Sequence, residues 1–138
     1  ENIRQDLIPT ITKLAHEKSQ KNNSKDLAKD VQRAVNKIIL PPVIIAVASK
    51  KTPSDDFREK EDYAASVCAL HNLVLSFWDN GIGSQWTTGA ITRHQETYSA
   101  LNIDSTKYEI IGFVKSGYPA AVPKVSKLSV DDISVYLD

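Results

Sequence analysis

Two β-branched runs set among four helical stretches predict a single mixed domain in which helices pack on a small sheet. The runs are "VIIAVAS" at 43–49 and "KYEIIGFVKSGYP" at 107–119, both rich in residues that favour strands. Between them lies a long stretch with helical spacing, Arg58 to Trp78, which is apolar nearly all round from Tyr63 onward. Such a helix must be covered on more than one side. At 138 residues the chain can bury one core and is too short for two, so residues 1–138 are taken as one domain.

In chain order, Leu7, Ile8, Ile11, Leu14 and Ala15 fall on one face of a first amphipathic helix, with Lys13, Glu17 and Lys18 elsewhere. The polar break "SQKNNS" offers Asn23 or Ser24 as an N-cap for a second helix, whose stripe is Leu27, Val31, Ala34, Val35 and Ile38. Pro41 and Pro42 end it, because proline lacks an amide donor and restricts the residue before it. The strand at 43–49 is apolar on both faces, which suits the middle of a sheet better than its edge. "KKTPSDD" reads as a solvated loop.

The third helix carries Ala64, Ala65, Val67, Cys68, Ala69, Leu70, Leu73, Val74, Leu75 and Phe77, and Trp78 is placed in the core. Thr92 with Gln95 forms a capping-box pattern for a short helix through Leu101. The second strand ends in a Gly-Tyr-Pro turn, and a mixed polar tail follows.

Charge and composition narrow the function. Lys plus Arg and Asp plus Glu are both 17, so no overall field draws the protein to nucleic acid or to an anionic membrane. The longest apolar run, Leu40 to Ala48, is far short of the roughly 20 residues that span a bilayer. A single cysteine, Cys68, precludes an internal disulfide, and the start does not resemble a signal peptide, so a cytoplasmic setting is expected. The chain has no methionine, even at its start, as expected either of a sequence that begins inside a longer chain or of one from which residues are omitted.

The stretch "DNGIGSQWTTGA", 79–90, is the candidate site. A dinucleotide fingerprint needs strand, G-x-G-x-x-G and helix in that order. Gly81 and Gly83 instead follow a helix, and Trp86 stands at the third position, so that motif is rejected. No phosphate-binding G-x-x-x-x-G-K-[ST] occurs either. Cys68 and His71 share a helix face, but the remaining histidines, His16 and His94, do not complete a zinc set, so core packing is expected of them. Glu59, Glu61 and Asp62 read as an acidic first turn that offsets the helix dipole.

Asn80 and Gly81 suit a left-handed C-cap. That leaves "GSQWTTGA", in which Gly83 and Gly89 let backbone approach a flat ligand and Trp86 offers an aromatic surface. A plain buried loop is the alternative reading.

The segment "EDYAASVCALHNLVLSFWDNGIGSQWTTGA", followed by a short helix and "EIIGFVKSGYP", resembles the nitroreductase family of flavin-dependent oxidoreductases. There a long Ala-rich helix runs into a G-[LIF]-G-[SG]-x-W-x-[ST]-G-like loop, and a later strand carries I-x-G-[FY]-x-x-x-G-x-P. The matching positions are Gly81, Ile82, Gly83, Ser84, Trp86, Thr88 and Gly89, then Ile110, Gly112, Phe113, Gly117 and Pro119. "PPVIIAVAS" resembles the preceding core strand, so the likeness runs from Pro41 to Leu128.

The resemblance implies an α+β fold, a mainly antiparallel central sheet flanked by helices, with the long buried helix at a homodimer interface. It implies FMN as cofactor, NAD(P)H as co-substrate, and a nitroaromatic, quinone or similar small molecule as electron acceptor. Carried over, Trp86, Thr87, Thr88 and Gly89 lie against the FMN, and Lys127 takes the place of an arginine on its phosphate; Lys124 is a rival, and a solvated tail lysine is the plainer reading. Family members begin with an Arg-Arg-Ser-like segment, whereas this chain opens on the helices that follow it, so it reads as N-terminally incomplete. A truncated relative serving as a non-catalytic flavin-binding or interaction module is the alternative.

Overall fold

A computed structural model describes residues 2–135 and 137 of the chain. Helix α1, Asn2–Lys21, packs on α2, Leu27–Ile39, through Leu7, Ile11 and Ile38, the predicted stripes of the two helices. The N-cap of α2 is Asp26, whose carboxylate accepts from the Lys29 amide at 3.0 Å. Asn23 and Ser24, the expected caps, lie three and two residues too early. Asn23 is left-handed in the connection (φ 50°), and the Ser24 hydroxyl donates to Asp30 at 2.5 Å. Together with the Ser19 hydroxyl it holds the Asp30 carboxyl below its usual range. At the other end of α2, the Arg4 guanidinium of α1 donates to the carbonyls of Ile39, Pro41 and Pro42, so the carbonyls left over by the Pro-Pro stop are satisfied.

Strands β1, Val43–Lys50, β2, Gly83–Thr87, and β3, Tyr108–Gly117, form one antiparallel sheet in the order β1-β3-β2. The architecture is therefore α+β. The central strand is β3, and β1 lies at an edge, contrary to the sequence expectation. Apolar residues on both faces of a strand report cover above and below it, not neighbours to either side. Val47 pairs with Gly112 and Ala48 with Ile110, so Ile111 is the extra residue of a β-bulge. The bulge lets Ile111 and Val114 join one face while Ile110 and Phe113 join the other.

Helix α3, Asp56–Asp79, covers the first face. Its N-cap Asp55 accepts from the Arg58 amide at 3.0 Å, Glu59 accepts from the Thr52 amide at 2.6 Å, and Arg58 pairs with Asp62 at 3.1 Å. Glu59 thus lies in the first turn, as the dipole argument expects, but the helix begins at Asp56, so its acidic first-turn residues are Asp56 and Glu59, and Glu61 and Asp62 fall in the second turn. Val67, Leu70, Val74 and Phe77 pack on Ile45, Val47, Ile111 and Val114. The opposite side of the helix, with Ala64, Ala65, Cys68, Ala69, His71, Leu75 and Trp78, is exposed in the chain.

The expectations that this helix is buried, that Cys68 and His71 are core, and that Trp78 is core are thereby corrected for the single chain. The reason is physical: the sheet is one layer and covers one side of a helix that is apolar on two.

On the other face, Ile110 and Phe113 meet Tyr98 of α4, Gln95–Ala100, and the buried Tyr98 hydroxyl accepts from the Ile110 amide at 3.0 Å. The expected capping box does not form. Thr92 belongs to a short 3-10 helix, Ala90–Arg93, and its hydroxyl closes that turn on the Gly89 carbonyl at 2.9 Å, while His94 caps α4 without a side-chain bond. Beyond Tyr118 the described residues form no helix or strand. Among the described residues, no helix is long and apolar enough to cross a membrane.

Candidate functional site

Helix α3 ends as the sequence suggests. Gly81 is left-handed (φ 70°), its amide donates to the Trp78 carbonyl at 3.0 Å, and the Ile82 amide donates to Phe77 at 2.8 Å. This pair of bonds is a Schellman cap, which glycine enters without side-chain strain. Ser84 through Thr87 then depart from the loop expectation and pair with β3 from Ser116 to Phe113. A central strand with one open edge offers hydrogen-bonding groups that a buried loop would leave unpaired. The segment is short enough to escape a period-2 reading.

Trp86 stands opposite Val114. Its indole crosses the neighbouring position, Gly112, and Nε1 donates to the carbonyl of the bulged Ile111 at 3.3 Å. The ring remains 42% exposed, so it is anchored along one edge and open on another side. Thr87, opposite Phe113, donates its hydroxyl to that residue's carbonyl at 3.3 Å. Thr88 and Gly89 are exposed as the strand ends.

Gly89 has φ 141° and ψ −166°, a region that is nearly closed to other residues, and nothing lies within 4 Å of where its Cβ would be. Gly89→Ala is therefore expected to cost about 1–3 kcal/mol by backbone strain alone. Urea unfolding checks this, with Thr88→Ala as the near-neutral control.

Lys127 and Lys124 are exposed in the tail, and neither forms an ion pair among the described residues. The cation nearest in register is Lys115, the cross-strand partner of Gln85. Burial, with a smaller contribution from the positive charge of Lys37, lowers its pKa from the ordinary lysine value. Among the described residues no group of His, Cys, Asp or Glu is placed to hold a metal ion. What the segment offers is an anchored aromatic ring, an exposed hydroxyl at Thr88 and open backbone at Gly89, a surface suited to a flat polar heterocycle.

The seat of this ring, Gly112 with Ile111, was not singled out as part of the site from the sequence. Its signal was present: a glycine inside a strong strand marks a close approach or a bulge, and here it marks both.

Comparison with known proteins bears on the fold and the family. The profile of the Nitroreductase family matches residues 1–118. A curated relative from Bacillus subtilis (strain 168), named NAD(P)H nitroreductase YfhC, is 28% identical over 109 residues, which cover 78% of this chain and 55% of the relative. The chain thus spans about half the length of that protein. A crystal structure of a nitroreductase-like family protein from Bacillus cereus superposes with a TM-score of 0.68 at 19% identity, covering 97% of this chain and 67% of the other. That likeness carries the fold, and the profile match over most of the sequence carries the family: the chain belongs to the nitroreductase family.

Proposed function

We propose that the protein is an FMN-dependent oxidoreductase that takes hydride from NAD(P)H and reduces a nitroaromatic, a quinone or a similar small acceptor, acting as a homodimer. Family membership and the name of the Bacillus subtilis relative support the reaction class. The observation that carries the reading to particular residues is the half-exposed, anchored indole of Trp86 at the head of a hydroxyl- and glycine-bearing segment.

The residues present fit the ring end of a flavin. Trp86 supplies an aromatic surface, Thr88 a hydroxyl, and Gly89 backbone that no side chain shields. When bound, FMN supplies the redox chemistry, and the protein supplies position and electrostatics. In this reading Trp86 orients the ring system and excludes water from one side of it. Thr87, whose hydroxyl is committed to the Phe113 carbonyl, fixes the backbone from which Thr88 and Gly89 reach the ring's polar edge. Lys127 in the tail is the proposed phosphate partner; a lysine meets a phosphate as a point charge, without the two-pronged geometry of arginine. The exposed apolar side of α3 is the proposed dimer face.

Trp86→Ala is expected to weaken FMN retention by about tenfold, the scale of one lost aromatic contact. Trp78→Ala, at a residue 60% exposed and outside the segment, is expected to change it less than Trp86→Ala does. Titration of released flavin by fluorescence measures both; equal loss in two folded variants would count against this placement.

A further inference from the structure

Gly112 has no side chain, and the space where one would stand is taken by the Trp86 indole. A Cβ built there overlaps Nε1, comes within 2.6 Å of Cδ1, and lies 3.1 Å from the Thr87 carbonyl oxygen. Beside it, the bulge that sets Ile111 out of register with β1 turns that residue's carbonyl into the acceptor for Nε1. The ring is thus held by an empty place beneath it and a hydrogen bond at its rim. Both features come from one irregularity in the central strand, two to three residues from the strand position opposite Trp86.

We infer that Gly112 is a positioning residue, which with the bulged Ile111 carbonyl fixes the orientation in which Trp86 presents its exposed side to the ligand. The part of this inference that concerns the ligand rests on the flavin reading above; the part that concerns the indole stands without it. A methyl group at position 112 overlaps the indole and forces the ring off the strand, because the next atom it meets, the Thr87 carbonyl oxygen at 3.1 Å, is backbone. Leaving its seat breaks the Nε1 bond, so the ring loses both constraints together.

Two measurements on the protein test this. In a Trp78→Phe background Trp86 is the sole tryptophan, since the chain has two. Gly112→Ala is expected there to red-shift its emission and to raise acrylamide quenching about twofold, as an anchored ring becomes a solvated one. Unchanged emission and quenching in the folded variant would overturn the inference, whatever the protein binds.

The second measurement is a double-mutant cycle read by FMN titration. Gly112→Ala is expected to weaken FMN binding about tenfold when Trp86 is present and to add almost nothing to Trp86→Ala, because the glycine acts through the ring. Equal losses in the two backgrounds would show a general structural role for Gly112 and overturn the positioning role. If no variant, nor the parent protein, takes up FMN, the flavin reading fails, and the fluorescence result still decides the seat.

Discussion

Phe113→Ala is expected to lower stability by about 3–5 kcal/mol, the largest loss for any single truncation in this chain. Phe113 is 1% exposed and lies at the centre of the middle strand, where Ala46 of β1 and Thr87 of β2 flank it and Tyr98, Ile110 and Ile44 pack around it. Neighbours on three elements cannot all move in to fill the space, so the full cavity penalty adds to the lost transfer energy. The same change at Phe57, 72% exposed at the start of α3, is expected to stay within about 0.5 kcal/mol. Urea melts of the two variants compare them directly; similar midpoints would mean that β3 is not the organising strand.

Leu75→Glu is expected to split the proposed dimer and leave the fold of each chain intact. Leu75 is 52% exposed on the outward side of α3, so a carboxylate there meets water in the isolated chain at little cost. In a two-fold dimer the same patch meets itself, and every substitution appears twice. Two buried carboxylates without cations then oppose association by several kcal/mol, which corresponds to a rise in dissociation constant of about a hundredfold or more. Sedimentation velocity over a dilution series reads the shift, and circular dichroism checks the fold. A variant as dimeric as the parent would remove α3 from the interface; a parent that is a folded monomer would remove the dimer.

The parts of this molecule that the sequence made legible are those where one physical requirement dominates. The stripes Leu7–Ile11 and Val35–Ile38 could face only one another, the Pro41-Pro42 pair could only end a helix, and Gly81 after an apolar helix could only cap it. Misreadings arose where two requirements compete within a few residues. Ser24 and Asp26 are both capping residues, and geometry chose Asp26 while Ser24 turned to Asp30. Thr92 and Gln95 have the spacing of a capping box, but the Thr92 hydroxyl is held by the Gly89 carbonyl in a tighter turn.

Strand β1 looked central because its faces are covered, although its edge is free. At the site, the residues Trp86 to Gly89 were visible as an unusual cluster, yet their arrangement depends on Gly112 and Ile111, about 25 residues away in sequence and joined to them only by sheet register. Register of that kind leaves no local signature beyond the glycine itself.

The most direct test of the central claim is the visible absorption spectrum of the purified protein with added FMN, recorded anaerobically before and after NADH or NADPH. The account predicts flavin bands that stay with the protein through gel filtration and bleach on addition of the nicotinamide. A colourless protein that neither retains FMN nor oxidises NAD(P)H would contradict it, and would leave a chain with the nitroreductase fold that serves as a non-catalytic module.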